Sequence, residues 1–247
     1  MEKEANNVVI NIKNLKKSFG DLMVLDGVTL RLHEKENLVI LGKSGSGKSV
    51  LIKCIVSLLQ HDKGSITVGK HELTDINEED LIKVRRKIGF LFQGAALYDS
   101  MTVGENLTFA LSRLKEKFSK QEIKDKIIEA LENVGLPDSI DKMPSELSGG
   151  MKKRIGLART LVIHPDIILY DEPTTGLDPI TSNEISNLIN ETKAKFNNSS
   201  IIITHDINCV KIVADRIVMI KDGKVYKDGK LEEFTNDEDD YIQSFFK

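Results

Sequence analysis

The fold of this chain is decided by a glycine-rich stretch that reads Gly42-Lys43-Ser44-Gly45-Ser46-Gly47-Lys48-Ser49. Four apolar residues, 38–41, precede it as in a buried strand, and apolar residues with helical spacing follow from Val50. Glycines let consecutive backbone N–H groups turn inward around a polyphosphate, Lys48 adds a positive charge beside the β and γ phosphates, and the Ser49 hydroxyl can bind Mg²⁺. The stretch therefore predicts a phosphate-binding loop between a strand and a helix, and a site for ATP or GTP with magnesium.

Composition and charge limit the class of protein. The chain has 247 residues, 40% of them hydrophobic, which is enough for a large core. Its net charge is −3 and its acidic and basic residues are interspersed, so we expect no continuous basic face and no binding to nucleic acid. The first residues are too polar for a signal peptide, and no stretch reaches the ~18 apolar residues of a membrane span. These features predict a cytoplasmic protein that can dock on a membrane protein. The cysteines, Cys54 and Cys209, lie in apolar helical patterns, which favours buried, reduced thiols.

The order of periodic segments predicts an α/β fold in a single domain of residues 1–247. Residues 8–32 alternate as strands do, with a turn at Asp26-Gly27, which indicates an N-terminal antiparallel sheet. The pattern becomes helical at about residues 94–162 and predicts an inserted helical subdomain. Strands and helices then alternate again from residue 167 onward, as expected for the rest of an α/β core.

Two adjacent carboxylates follow another apolar strand. Residues 167–170 read Ile-Ile-Leu-Tyr, and Asp171 and Glu172 come directly after them. Sites in parallel sheets lie at the carboxyl ends of the strands, so we expect both side chains near the phosphate-binding loop. There Asp171 can hold Mg²⁺ through water, and Glu172 can accept the proton of a water that attacks the γ-phosphate. Glu172 is the predicted general base, and a solvated acidic turn is the alternative interpretation.

A third motif gives the chain a family resemblance. Leu147-Ser148-Gly149-Gly150-Met151 matches, except at its last residue, the signature Leu-Ser-Gly-Gly-Gln of the ATP-binding cassette (ABC) ATPases, which the chain resembles over nearly its whole length. A helix N-terminus at such a segment is an anion site. In this family it closes on the γ-phosphate bound to the other subunit, so the resemblance implies that Ser148, Gly149 and Gly150 act in trans in an ATP-sandwich dimer. From the residues alone, Ser148 could also be a simple N-cap.

The resemblance implies the ABC-ATPase fold of P-loop NTPases, a RecA-like core with an N-terminal antiparallel β subdomain and an inserted helical subdomain. Gln93 resembles the Q-loop glutamine, His205 the switch histidine that bonds the γ-phosphate, and Asp178 the D-loop aspartate that communicates across the dimer. Phe19 resembles the aromatic residue that stacks on adenine, although it could equally be ordinary core.

Together these motifs define a predicted site for ATP and Mg²⁺. The ATP-binding residues are Phe19, Gly42, Lys43, Ser44, Gly45, Ser46, Gly47, Lys48, Ser49 and Val50. The catalytic residues are Lys48, Gln93, Glu172 and His205, and the Mg²⁺ ligands are Ser49, Gln93 and, through water, Asp171.

Residues 92–103 give the most specific clue to the substrate. They read Phe-Gln-Gly-Ala-Ala-Leu-Tyr-Asp-Ser-Met-Thr-Val and resemble the ATPase of Mce-type lipid transporters, the MlaF group, whose pattern is close to Phe-Gln-Ser-Gly-Ala-Leu-Phe-Asp-Ser-Leu-Thr-Val. Importers of polar solutes usually carry proline at the position of Asp99. Met151 and Ile180 also match the MlaF group, whereas Gly94 and Ala95 depart from its pattern.

The resemblance implies a set of partners and a location. We expect a second copy of the chain, a multispan membrane permease, an Mce-domain substrate-binding protein and a small regulatory subunit. The protein would lie on the cytoplasmic face of the inner membrane, held there by the permease. The alternatives are the ATPase of a polar-solute importer and, from another class, a soluble nucleotide-dependent switch without transport.

Charged and apolar clusters elsewhere have simpler interpretations. The acidic run 237–240 and the apolar residues of 241–246 predict a solvated turn and a short amphipathic helix packed on the core, with partner docking as the alternative. The basic clusters 85–87 and 152–154 are predicted to be solvated helix faces, with a lipid-headgroup or partner role as the alternative.

Overall fold

The structure, a computed structural model, describes residues 8–114 and 116–246. The strands are β1 (Val8–Phe19), β2 (Leu22–His33), β3 (Asn37–Leu41), β4 (Lys63–Val68), β5 (His71–Glu72), β6 (Ile88–Leu91), β7 (Ile167–Asp171), β8 (Ser199–Ile203), β9 (Arg216–Lys221) and β10 (Lys224–Gly229). The helices are α1 (Lys48–Ile55), α2 (Glu78–Arg86), α3 (Val103–Leu111), α4 (Lys120–Glu132), α5 (Gly149–Leu161), α6 (Pro179–Phe196), α7 (Ile207–Val213), α8 (Leu231–Thr235) and α9 (Asp240–Phe246). Short 3-10 helices span Pro137–Ser139 and Pro144–Glu146.

The central sheet has the strand order β10-β9-β3-β8-β7-β6. Strands β9, β3, β8, β7 and β6 are parallel, and β10 pairs antiparallel with β9 at one edge. Every residue of β3, β7 and β8 is buried, as expected for parallel strands that are covered on both faces. Because β3 and β7 both flank β8, the segments that leave their carboxyl ends emerge close together at one edge of the sheet.

A second sheet, with the order β2-β1-β4-β5, is antiparallel throughout. The turn between β1 and β2 is at Gly20-Asp21, so the predicted turn at Asp26-Gly27 is wrong. Gly27 instead lies inside β2 with φ at +84°, where the pairing with β1 shifts register and forms a β-bulge. A bulge and a turn both use glycine in the left-handed region, which is why the local sequence suggested a turn.

The segment between β6 and β7 contains α3, α4 and α5. Helices α3 and α4 each begin with a capping box, Thr102 with Glu105 and Ser119 with Glu122. Their buried faces join the same hydrophobic cluster as α5 and the central sheet. None of the helices in the described part of the chain is long and apolar enough to cross a membrane.

Both cysteines are buried and unpaired, as predicted. Burial raises the pKa of the Cys54 thiol and of the Cys209 thiol to about 11. The thiolate is the reactive form, so both side chains are inert at neutral pH.

The C-terminal helix α9 packs on the core, which confirms the predicted amphipathic helix. Ile242 is 2% exposed and belongs to the main hydrophobic cluster. The ring of Tyr241 lies 5.0 Å from the ammonium of Lys43 and 4.3 Å from that of Lys221. The end of the chain therefore contacts the phosphate-binding loop.

Candidate nucleotide site

The phosphate-binding loop connects β3 to α1, and close packing explains its outer glycines. A Cβ atom at Gly42 would lie 2.4 Å from the carbonyl oxygen of Ile220 in β9. Gly47, the N-cap of α1, has φ at +99°, and a Cβ there would lie 2.8 Å from the carbonyl oxygen of Val24. Only glycine fits both positions, so the loop runs against the backbone of its neighbours and directs the N-terminus of α1 at its interior.

The ammonium of Lys48 is held inside this loop. It donates to the carbonyl oxygens of Gly42, at 2.7 Å, and Lys43, at 3.0 Å, and the side chain is buried. Burial lowers the pKa of Lys48, while the negative charges of Glu172 and Asp171 oppose that shift. The loop thus holds a partly desolvated positive charge, which suits an anionic ligand.

The buried hydroxyl of Ser46 is suited to bind a phosphate group. Its Oγ atom is buried and has no hydrogen-bond partner among the residues that the structure describes. A buried hydroxyl without a hydrogen-bond partner lowers the stability of the fold. In native proteins such a group commonly binds a ligand or a water molecule. In a loop at a helix N-terminus, a phosphate oxygen would satisfy it.

Ser49 and Asp171 meet beside the loop. The Ser49 hydroxyl donates to Oδ1 of Asp171 at 3.3 Å. Burial raises the pKa of Asp171, and the charge of Glu172 acts in the same direction, while the bond from Ser49 opposes the shift. Within residues 8–114 and 116–246 there is no cluster of three or more His, Cys, Asp or Glu side chains that could hold a metal ion. One carboxylate and one hydroxyl fit Mg²⁺, which keeps several waters and takes phosphate oxygens as its other ligands.

The carboxylate of Glu172 is fixed in the site by two neighbouring side chains. Its Oε2 atom lies 2.8 Å from Nδ1 of His205 and accepts a hydrogen bond of 3.0 Å from the Thr175 hydroxyl. Its backbone has φ at 52°, a conformation that residues other than glycine seldom adopt and that clusters at functional sites. The chain turns sharply at Glu172, and the carboxylate is held by groups from two different loops.

A cavity of about 520 Å³ brings most of the predicted residues together. It is lined by Val24, Ser44, Gly45, Gly47, Lys48, Ser49, Val50, Gln93, Glu172 and His205. Val24, on β2, is a wall residue that sequence patterns did not indicate. Phe19 lies at the end of β1 and outside this wall, and with 47% of its surface exposed it is not a core residue.

The signature segment and Asp178 form a separate surface of the same chain. The Ser148 hydroxyl accepts a hydrogen bond from the Met151 N–H at 3.2 Å, so Ser148 is the N-cap of α5. Asp178 caps α6 and accepts from the N–H groups of Ile180 and Thr181, both at 3.0 Å. None of these residues lines the cavity, so within one described chain the signature does not complete the site.

Comparison with known proteins agrees with this geometry. The family model for ABC transporters matches residues 25–175. The chain belongs to the ABC transporter family of ATP-binding proteins. It is 36% identical to protein TRIGALACTOSYLDIACYLGLYCEROL 3, chloroplastic, of Arabidopsis thaliana over 97% of this chain and 74% of that protein. It is 38% identical to the probable ribonucleotide transport ATP-binding protein mkl of Mycobacterium leprae (strain TN) over 96% and 68% of the two chains. It is 35% identical to the methionine import ATP-binding protein MetN of Clostridioides difficile (strain 630) over 91% and 70%.

A solved structure shows the same fold. A dimeric post-hydrolysis state of the ATP-binding cassette MJ0796, bound to ADP and Pi, superposes with a TM-score of 0.82 at 32% identity, covering 90% of this chain and 98% of that one. The protein is therefore an ATP-hydrolysing, ATP-binding subunit of an ABC transporter, and the predicted ABC-ATPase fold is confirmed.

Lys153 is a buried cation of the ABC cassette, so the predicted solvated face at 152–154 is wrong at this residue. Lys153 was expected on a solvated face of α5, but it is only 5% exposed. Its ammonium donates to the carbonyl oxygens of Gln93 and, at 3.1 Å, Glu172. The spacing of the residues could have indicated that Lys153 is buried, because Gly150, Lys153 and Thr160 share the buried face of α5.

Arg159, also on α5, holds the loop that follows Gln93. Its guanidinium donates to the carbonyl oxygens of Ala95, at 3.0 Å, and Ala96, at 2.7 Å. Both alanines have positive φ, 58° and 51°. Arg159 therefore stabilises a strained turn next to the site, a role that sequence patterns did not indicate.

Proposed function

We propose that this cassette hydrolyses ATP in the cavity beside the phosphate-binding loop, with Glu172 as the general base. The observation that carries the proposal is the carboxylate of Glu172, which lines the same cavity as Lys48 and Ser49 and is held through Oε2 by His205 and Thr175. Among the residues that the structure describes, no donor forms a hydrogen bond with Oε1 of Glu172. That oxygen can therefore accept a proton from water.

Each wall residue has a task in this reaction. Lys48 binds the β and γ phosphates, the buried Ser46 hydroxyl and the loop N–H groups bind phosphate oxygens, and His205 contacts the γ-phosphate. When bound, Mg²⁺, held by Ser49, Gln93 and, through water, Asp171, neutralises charge on the phosphates. Water attacks the γ-phosphorus and gives a proton to Glu172 as the bond to the bridging oxygen of ADP breaks. A positioned base contributes about 10²–10⁴ in rate.

The second copy of the chain supplies the missing part of the site. The signature residues Ser148, Gly149 and Gly150 lie outside the cavity of their own chain, and because Ser148 and Gly149 are exposed, a partner's nucleotide could reach the signature there. We propose that two copies sandwich two ATP molecules, with Asp178 at the interface. The dimeric state of MJ0796, a related cassette, supports this arrangement. The helical subdomain, about residues 94–162 of a single domain 1–247, would carry the signature toward the partner.

The cargo that we propose is lipid. The matches of Asp99, Met151 and Ile180 to the Mce-type pattern favour it, and the name of the related TRIGALACTOSYLDIACYLGLYCEROL 3 protein contains that of a lipid. A multispan permease, an Mce-domain substrate-binding protein and a small regulatory subunit would complete the transporter, with the cassette on the cytoplasmic face of the inner membrane. Polar-solute import is the second candidate, because the relatives include methionine import proteins.

The Glu172→Gln variant tests the general base. We expect it to bind ATP and to release phosphate at least about 100-fold more slowly than the unchanged protein, because an amide cannot accept the proton. Glu191→Gln, an exposed change on α6, is the matched control and should be fully active. Near-normal turnover of Glu172→Gln would contradict the assignment.

The Ser148→Arg variant tests the role of the signature in trans. It should abolish turnover and leave the affinity of the isolated chain for nucleotide nearly intact. Loss of ATP binding by the monomer would place Ser148 in the site of its own chain instead.

Copurification tests the cargo. A tagged Glu172→Gln chain is expressed in its native host, the membranes are solubilised with ATP present, and the bound proteins are identified by mass spectrometry. A permease with an Mce-domain protein supports lipid transport. A permease with a solute-binding protein supports polar import, and recovery of non-membrane proteins alone contradicts both.

A further inference from the structure

Lys153 connects three parts of the cassette that lie far apart in sequence. It projects from the signature helix α5, and its ammonium donates to the carbonyl oxygens of Gln93 and Glu172. Gln93 follows β6 and Glu172 follows β7, and these are neighbouring parallel strands. One side chain therefore joins α5 to the segments that leave the carboxyl ends of β6 and β7.

The burial of Lys153 is costly, which argues against an incidental contact. Burial lowers the pKa of its ammonium, opposed by the charges of Glu172 and Asp171. No carboxylate forms an ion pair with it in the part of the chain that the structure describes, so the carbonyl oxygens are its hydrogen-bond partners. An apolar side chain of similar length would fill the same space without desolvating a charge.

The two carbonyl groups belong to residues with direct tasks in the proposed reaction. Glu172 has positive φ, its N–H donates to the Ile203 carbonyl oxygen at 2.9 Å, and its own carbonyl accepts from Lys153. Both peptide groups of Glu172 are thus anchored, which fixes the direction from which its side chain leaves the backbone. Gln93 lines the cavity from the opposite segment and is anchored by the same ammonium.

We propose that Lys153 is a positioning residue for ATP hydrolysis, which sets the separation between Gln93 and Glu172 and makes it depend on the position of the signature helix. The inference rests on the proposed function, in which Gln93 and Glu172 act on Mg²⁺ and the attacking water. Lys153 does not line the cavity itself. It acts through the backbone of the two residues that do.

The test compares Lys153→Met, which removes the ammonium at similar length, with Lys153→Arg, which keeps a cationic donor. Lys152→Met, the adjacent half-buried lysine, is the matched control for loss of charge. We measure kcat and KM for ATP by phosphate release, ATP affinity by calorimetry, and the thermal midpoint. Because a small shift of a catalytic group is expensive, Lys153→Met should lose at least about tenfold in kcat with ATP affinity within about threefold of the unchanged protein. Lys153→Arg should recover most of that loss, and Lys152→Met should have unchanged kcat.

Two results would overturn the inference. One is a kcat for Lys153→Met within about twofold of the unchanged protein. The other is a parallel loss of kcat, ATP affinity and thermal midpoint that Lys153→Arg does not repair, which is the pattern of a purely structural lysine. If Lys153→Met does not fold, Lys153→Gln, which keeps a neutral donor, replaces it, and an unchanged kcat for that variant overturns the inference equally.

A parallel assay of Glu172→Gln separates this inference from the proposed function. If Glu172→Gln is inactive and Lys153→Met is normal, only the role of Lys153 fails. If Glu172→Gln is active, the proposed function fails and the role of Lys153 fails with it.

Discussion

Asp171 and Glu172 are neighbours in sequence but differ in backbone conformation and in partners. Asp171 is the last residue of β7 and bonds Ser49, whereas Glu172 turns into the left-handed region and bonds His205 and Thr175. The change of conformation between them directs one carboxylate toward the phosphate-binding loop and the other toward the loop after β8. Under the proposed function, these two identical functional groups take different tasks, metal binding for Asp171 and proton transfer for Glu172.

The raised pKa of Asp171 predicts a trade-off between stability and function. Burial keeps its proton bound to higher pH in the folded protein than in the unfolded chain, whose value is 3.8. The ionised carboxylate therefore lowers stability as the pH rises above that value. We expect Asp171→Asn, without Mg²⁺ at pH 7, to raise the thermal midpoint by about 2–4 °C. That gain should shrink as the pH falls, because the natural carboxyl group then binds a proton and loses its buried charge.

Scanning calorimetry measures this prediction with and without Mg²⁺ and ATP. Together they should raise the midpoint of the unchanged protein more than that of Asp171→Asn, because the variant lacks the carboxylate. A lower midpoint for the variant without ligand at pH 7 would contradict the argument from burial.

Phe19 offers an exposed ring near the start of β2. If it stacks on adenine, Phe19→Ala should weaken ATP binding about tenfold, since base–aromatic stacking contributes about 1–3 kcal/mol. Leu22→Ala removes an exposed apolar side chain from the residue that pairs with Phe19, and it serves as the control. Calorimetric titration in the Glu172→Gln background measures both affinities, and equal losses in the two variants would argue against stacking.

At the scale of elements, the N-terminus of α5 packs closely on α6. A Cβ atom at Gly150 would lie 2.5 Å from Cγ2 of Thr181. The Thr181 hydroxyl bonds the Asp178 carboxylate at 2.6 Å, so the side chain cannot turn away freely. Because Gly150 has no side chain, the signature segment can pack closely against the start of α6. A methyl group at this position would force the two segments apart.

This contact predicts a coupled pair of substitutions. Gly150→Ala should lower the free energy of unfolding by about 1–3 kcal/mol through overpacking, despite the better helix propensity of alanine. Thr181→Ser removes the opposing methyl group and keeps the hydroxyl, so the double variant should recover most of the loss. Urea unfolding of the two single variants and the double variant gives the coupling energy. Additive losses would show that the two side chains do not meet as described.

Some features of these elements could be predicted from the sequence, and others could not. The loop 42–49 and the N-cap Ser148 could be predicted because each depends on residues only a few positions apart. Gly27 could not be assigned to a bulge, since pairing with β1 decides between bulge and turn. Lys153 could not be recognised as buried, because its acceptors are 60 and 19 residues away in sequence. Residue type favours solvent for a lysine, and only the tertiary fold reverses that preference.

At the scale of the whole molecule, the cavity and the signature lie on different parts of one chain. Under the proposed sandwich, each site combines Glu172 of one copy with Ser148 of the other. A mixed dimer of Glu172→Gln and Ser148→Arg chains contains one intact site, because each variant supplies what the other lacks. Two inactive proteins should therefore recover activity on mixing, up to about one quarter of the unchanged protein when half the dimers are mixed.

Phosphate release from equimolar mixtures measures this complementation. Recovered activity should rise with total protein concentration as dimers form. A mixture that stays as inactive as its components at high concentration would contradict sites shared between copies.

The burial of Cys54 and Cys209 makes the natural chain a ready background for spectroscopy. A cysteine introduced at exposed Glu191 would be the only thiol that reacts readily with a maleimide dye at neutral pH. The chain also contains no tryptophan, so Phe19→Trp would add its only indole fluorophore. Movements of the nucleotide region and of the dye could then be followed separately, with no native side chain removed beforehand.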